Sequence, residues 1–260
     1  NAIFMVAGSL IAAGLQSPAV GHGEPALLIG LGALCVGAAI YLLRALPANF
    51  GGDMLNLYFR LFHRLEVRGL EHVKAAGPRA VIALNHVSFL DAPLALSLLE
   101  EKPVFAIDSG IAKKWWIKPF LKIARVFPMD PTKPLSTRGL IGEVKKGNRL
   151  VIFPEGRITI TGALMKVYDG AAMIADKADA TIVPVRLEGL EKTFFSRLHD
   201  GQVRRSLFPK VRVTFLPPRK LAIDPELKGR KRRQAAGAAL YDVMSDLYFK
   251  TSDVDMTLFE

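Results

Sequence analysis

Apolar positions along this chain fall into three patterns. From Asn1 to Leu43 they are almost continuous, and Glu24 is the only charged residue among them. ALLIGLGALCVGAAIYLL, Ala26 to Leu43, runs 18 residues without a charge. As a helix it would span roughly 27 Å, close to the hydrocarbon core of a bilayer. A shorter apolar segment, Ala2 to Leu15, precedes it, and QSPAVGHGEP between the two reads as a turn. The pattern predicts two transmembrane helices within residues 1–46. A signal peptide fits less well, because there is no basic n-region and a second span follows at once. A buried core helix is the other rival for Ala26 to Leu43, but its length and its Gly and Ala content favour membrane.

The second pattern is amphipathic. In DMLNLYFRLFHRLEV, Asp53 to Val67, Leu55, Phe59, Phe62 and Leu65 share one helical face, with Arg60, His63 and Arg64 off it. A helix lying in the membrane interface has this stripe, and so does a helix packed on a core. Both readings stay open here. After residue 75 short β-type runs alternate with helical stretches. Strands are predicted at Ala80–Leu84, Val104–Ile107, Arg125–Phe127, Arg149–Phe153, Thr181–Leu187 and Val211–Leu216. Helices are predicted at Phe89–Glu100, Ile111–Ile123, Leu135–Lys146, Gly170–Ala178 and Arg230–Tyr248. This rhythm implies an α/β fold, a mostly parallel sheet flanked by helices. The expected organisation is 1–46 membrane-spanning, 47–250 the α/β domain and 251–260 a linker toward a further domain.

Charge narrows the partners. The chain has 35 Lys and Arg against 24 Asp and Glu, net +11. A basic surface suits nucleic acid, anionic lipid or an acidic protein. Next to apolar spans, an anionic membrane surface leads and nucleic acid is not expected. Arg44, Arg60, Arg64 and Arg68 follow the second span, which by the positive-inside rule places the main domain in the cytoplasm. The single cysteine, Cys35, excludes a disulfide within the chain. Trp115 and Trp116 suit an interfacial anchor or, for one of them, packing in the core.

In open α/β sheets, ligands bind beyond the carboxyl ends of the strands. ALNHVSFLDAP, residues 83–93, puts His86 just past a predicted strand and Asp91 in the first turn of the next helix. An i, i+5 pair across such a turn can fold back, so that the carboxylate fixes the tautomer of an imidazole acting as general base. VIFPEGRIT, residues 151–159, ends at the same edge. There Gly156 allows close backbone approach to a ligand and Arg157 offers a planar fork for phosphate. A nucleophile elbow, a His-Glu-x-x-His zinc motif and a P-loop are all absent from the sequence, so no metal or nucleotide cofactor is expected.

NHVSFLD together with FPEGR resembles the glycerolipid acyltransferase family, whose first motif is Asn-His-x4-Asp and whose third is Phe-Pro-Glu-Gly; IVPVRLEG, Ile182 to Gly189, resembles its fourth block. The resemblance covers about residues 53–250. FPMDPTKP, VIFPEGRITITGALMKVYDGAA and FFSRLHDGQVRRSLFP look like the acyltransferase half of bacterial bifunctional 2-acylglycerophosphoethanolamine acyltransferase/acyl-acyl-carrier-protein synthetases, in a form fused behind a lysophospholipid transporter.

The resemblance implies transfer of a fatty acyl group from acyl-acyl carrier protein or acyl-CoA to the hydroxyl of a lysophospholipid, without a cofactor, at a bacterial inner membrane with the catalytic domain cytoplasmic. His86 would be the base and Asp91 its orienting group. Phe153, Pro154, Glu155, Gly156 and Arg157 would form the acceptor-binding segment. Two departures touch that segment's role. Pro131 follows Asp130 where members acting on lysophosphatidate commonly have Arg, and the third motif continues Arg-Ile-Thr where many continue Thr-Arg. Both favour a lysophospholipid diester over lysophosphatidate. The rivals are 1-acylglycerol-3-phosphate acylation and, from another class, a non-catalytic basic lipid-binding module.

Overall fold

The sheet at the centre of this computed structural model has seven strands: β1 (Glu66–Arg68), β2 (Ala80–Leu84), β3 (Val104–Asp108), β4 (Arg125–Met129), β5 (Leu150–Ile152), β6 (Thr181–Glu188) and β7 (Arg212–Phe215). Their spatial order is β1-β7-β6-β2-β5-β3-β4, and every pair is parallel except the antiparallel β6–β7. The structure describes residues 24–45, 50–99, 102–129, 134–199 and 201–251. Two units make up the chain, residues 1–50 and 51–260.

Helices cover both faces of the sheet, so its middle strands are apolar throughout instead of alternating. All five residues of β2 are buried. Val81 and Ala83 pack into a cluster with α7 (Pro134–Lys145), α8 (Asp169–Ala178) and α9 (Gly229–Thr251). Ile82 and Leu84 pack on the opposite side with α2 (Phe50–His63) and α4 (Asp91–Leu98). α9 is long and mostly polar, but Ala236, Leu240, Val243, Met244 and Leu247 are buried, one stripe at helical spacing.

Three expectations change. The amphipathic helix ends at His63, four residues earlier than the stripe suggested. Arg64 adopts φ 44°, Val211 N–H donates to the His63 carbonyl at 2.9 Å, and Glu66 N–H donates to the Val211 carbonyl at 2.9 Å. Pairing with β7 therefore draws Glu66–Arg68 into the sheet as β1, and the short helix α3 (Glu71–Ala75) follows it. Phe59 is buried and Leu55 packs on the core, while Met54, Leu57, Leu61 and Phe62 form a second, exposed apolar stripe. The predicted helix Ile111–Ile123 breaks into α5 (Ser109–Ala112), a 3-10 turn at Trp115–Ile117 and α6 (Lys118–Ile123). Pro119 at the start of α6 begins a new helix instead of continuing one. Neither tryptophan is in the core: Trp115 is 79% and Trp116 39% exposed.

Ahead of this unit lies α1 (Glu24–Ala45), 22 residues long, with Ile29, Leu34, Val36 and Tyr41 exposed. Among the described residues no helix is long and apolar enough to cross a membrane. The segment Ala2–Leu15, the Asp130–Lys133 stretch that carries Pro131, and the expected linker after Thr251 lie outside the described residues.

Candidate functional site

The site begins where β2 runs out of partners. Asn85 extends the strand with its side chain, which donates to the Leu187 carbonyl at 3.0 Å and accepts from Leu187 N–H at 2.7 Å. The amide thus imitates a strand residue and pins the end of β2 to β6. Removing it leaves two buried backbone groups without partners, so Asn85→Ala should destabilise the protein by about 2–4 kcal/mol. A denaturant midpoint unchanged by the substitution would contradict this assignment.

The next residue leaves the sheet and is gripped from both sides. His86 N–H donates to Glu155 Oε1 at 3.1 Å, and its carbonyl accepts from Thr159 N–H at 2.8 Å. Phe153, at the end of β5, stacks on the imidazole with centroids 4.1 Å apart and planes 21° from parallel. His86 Nδ1 lies 2.8 Å from Asp91 Oδ2. That same oxygen accepts the N–H groups of Val87 at 2.6 Å and Ser88 at 2.9 Å. An oxygen already receiving two amides acts as acceptor to the ring as well, so Nδ1 carries the proton and Nε2 presents a lone pair.

Asp91 is fully buried, and burial pushes its carboxyl above the ordinary carboxylate range; the His86 ring and the two amides pull against that shift. Ser88, beside the histidine, is no nucleophile. Its hydroxyl is buried and lies 3.3 Å from that of Thr193. Phe89 N–H donates to the Phe195 carbonyl at 3.1 Å, so the segment following β6 closes over the turn between β2 and α4.

Glu155 faces inward. It is 1% exposed, and its oxygens accept the backbone N–H groups of His86 and of Met165, the latter at 3.0 Å. Burial raises its pKa, opposed by those amides and by His86 and Arg186. Both oxygens of this buried side chain are thus taken up by backbone amides, one of them that of the histidine itself. Pro154 is also buried, and its carbonyl accepts Tyr168 N–H at 2.9 Å. Gly156, with φ 66°, turns the chain outward, and both Gly156 and Arg157 are exposed. The tight turn needs that left-handed glycine, and a Cβ there would press on the Tyr168 ring.

The structure therefore brings His86, Asp91, Phe153, Pro154 and Glu155 together and leaves Gly156 and Arg157 on the open turn. Asn85, Thr159 and Thr193 complete the arrangement without having been singled out from sequence. Only Asn85 carried a signal, as the residue preceding the histidine in the first motif. No group of three or more potential metal ligands occurs among the described residues. The chemistry available is proton transfer at His86 Nε2, with any nucleophile supplied by a substrate.

Residues 64–188 match the family model described as Acyltransferase. The chain is 31% identical over 135 residues to the 1-acyl-sn-glycerol-3-phosphate acyltransferase BAT2, chloroplastic, of Brassica napus, aligned over 50% of this chain and 39% of that protein. It is 29% identical over 138 residues to the 1-acyl-sn-glycerol-3-phosphate acyltransferase LPAT1, chloroplastic, of Arabidopsis thaliana, over 50% and 38%. The chain thus spans under half the length of these curated relatives. In fold it is similar to the crystal structure of the 1-acyl-sn-glycerophosphate acyltransferase PlsC of Thermotoga maritima, with TM-score 0.53 and 18% identity over 94% of this chain and 97% of that one.

Proposed function

We propose, from the match of residues 64–188 to the Acyltransferase family model, that this protein moves a fatty acyl group from a thioester to the free hydroxyl of a lysophospholipid. One observation carries the reading: His86 is held by Asp91 at 2.8 Å, with Nε2 left as a proton acceptor at the carboxyl edge of the sheet. His86 Nε2 takes the proton of the acceptor hydroxyl as its oxygen attacks the thioester carbonyl. The tetrahedral intermediate collapses, the C–S bond breaks, and the thiolate recovers the proton from the imidazolium. Asp91 stabilises the imidazolium between the two proton transfers. No covalent acyl-enzyme is required, which agrees with the buried, hydrogen-bonded hydroxyl of Ser88.

For the acceptor, the names of both plant relatives favour 1-acylglycerol-3-phosphate. A second reading, a diester such as lysophosphatidylethanolamine, is favoured by Pro131 after Asp130 and by Arg157-Ile158-Thr159 after Gly156. Acyl-acyl carrier protein and acyl-CoA are the candidate donors. The exposed apolar stripe on α2, its contact between Phe62 and Phe208 at 5.1 Å, and the net charge support work at an anionic membrane surface, reached from the cytoplasmic side of a bacterial inner membrane.

The test is acyl transfer by the full chain in membranes, offering lysophosphatidate and lysophosphatidylethanolamine in separate reactions with each donor. Product from either acceptor supports the reading and chooses the headgroup. Binding of both lipids without product from any combination would leave a lipid-binding module and remove the enzyme.

A further inference from the structure

Beside the turn that carries the base, large aromatic side chains gather outside the core. Phe89, three residues after His86, meets the Trp116 ring edge-on, with centroids 5.2 Å apart and planes at 82°. The Arg197 guanidinium carbon lies 5.3 Å from the centroid of the same Phe89 ring. Phe194 is 64% and Phe195 54% exposed, and Trp115 and Trp116 are exposed as well. Two segments distant in sequence, the 3-10 turn at Trp115–Ile117 and the strap of residues 193–206 after β6, thus meet at Phe89.

The strap is held and not loose. Ser196 bridges Ser88 in antiparallel fashion, and the Phe195 carbonyl accepts Phe89 N–H. Ser206 N–H donates to the Lys192 carbonyl at 2.9 Å, closing the strap at its base. Arg205 donates to the Thr193 carbonyl at 2.7 Å and to the Leu198 carbonyl. Phe194 and Phe195 are therefore displayed on a fixed backbone. Exposed apolar area gathered in one place marks a partner.

Charge says which partner. Residues 111–123 carry Lys113, Lys114, Lys118 and Lys122 and no acid, and residues 192–199 carry Lys192 and Arg197 and no acid. Lys113, Lys114, Lys118 and Arg197 are all exposed. A second copy of this chain would set these cations against one another. An anionic bilayer suits both kinds of side chain: indole rings settle at the headgroup level, and lysine and arginine are drawn to the charged surface.

We propose that this rim, Trp115 and Trp116 with Phe194, Phe195 and the cations around them, docks on an anionic bilayer in addition to the exposed stripe on α2. The rings enter the headgroup layer, and Phe89 ties them to the turn between β2 and α4. The base then stands at the lipid–water boundary, where an acceptor hydroxyl reaches it without leaving the interface. This deepens the acyl-transfer reading and rests on it for the lipid acceptor alone.

The chain supplies its own probe, because Trp115 and Trp116 are its only tryptophans. Full chain is reconstituted into phosphatidylcholine vesicles with or without phosphatidylglycerol, part of the lipid carrying bromine either near the headgroup end of the acyl chains or near their far ends. In the anionic vesicles shallow bromine should quench the emission about twofold or more and deep bromine less, as expected for rings at the headgroup level. High salt, or Lys113→Glu together with Lys114→Glu, should remove most of the quenching. Phe194→Ser with Phe195→Ser should lower it too, while the backbone carbonyl that holds Phe89 stays in place.

Tryptophans that ignore the bromine in anionic vesicles overturn the proposal. Quenching unchanged in both double variants overturns it as well, since another anchor would then bring the rings near the lipid by proximity alone. Emission indifferent to bromine but shifted by added acyl carrier protein gives the rim to an acidic protein, and overturns it equally. The native protein carries the decisive measurement, so a variant that fails to fold does not remove the test. Acyl transfer with unquenched tryptophans leaves the catalytic reading standing, and quenching without transfer leaves the rim standing, so the two fail separately.

Discussion

Replacing His86 by alanine should lower acyl transfer about 10²–10⁴-fold, the contribution of a positioned base, while the melting transition stays near that of the native protein. The ring is partly exposed and its contacts are a stack on Phe153 and one hydrogen bond, so the fold does not depend on it. Asp91→Asn is the sharper partner experiment. All three donors fall on Oδ2, and Oδ1 has no hydrogen-bond partner. An asparagine can keep its carbonyl oxygen in the Oδ2 position and place its amide nitrogen where Oδ1 was. Geometry survives at a cost of about 1–3 kcal/mol for the unpaired buried donor, but the negative charge opposite the imidazolium is gone. Transfer should fall about 10²-fold or more. Turnover in both variants equal to the native protein, in the same membranes, would show that this pair is not the base and its orienter.

The second large effect concerns folding. Gly189 closes β6 with φ 98° and ψ −35°, a conformation closed to residues with a Cβ. An added Cβ would also collide with the carbonyl oxygen of Lys210. Gly189→Ala should therefore cost about 3–5 kcal/mol and lower the melting temperature by roughly 10 °C. The loss should reach activity too, because the turn that follows carries Thr193 to Ser88 and Phe195 to Phe89. A calorimetric scan with an unmoved transition would mean that the backbone can relax here as the present geometry does not suggest.

Much of this was legible in the chain. The strand at Ala80–Leu84 was read from an unbroken apolar run, which is how a strand covered on both faces must look, and Thr181–Leu187 from a β-type run interrupted by Arg186. His86 and Asp91 were read from their place after such a strand, since a turn of that length can return a carboxylate to a ring. Where the reading stopped, the cause was each time a contact distant in sequence. The helix over residues 53–67 was cut short because β7, almost 150 residues later, pairs with Glu66–Arg68. Its periodicity could not reveal that both an inner and an outer apolar stripe existed, because hydrophobicity alone does not say which face has a partner. Trp115 and Trp116 looked divisible between core and surface, and packing left both outside.

Local periodicity, turn chemistry and motif spacing were thus enough to determine an α/β sheet and the pairing of His86 with Asp91 at its edge, because each depends on neighbours within a few residues. What only the tertiary structure decided was direction. Glu155 points inward to the amides of His86 and Met165 while Arg157 points out. Arg186 and Tyr248 meet across more than sixty residues of chain. A side chain's charge is written in the sequence, but the groups that surround it, and therefore what that charge does, are set by packing.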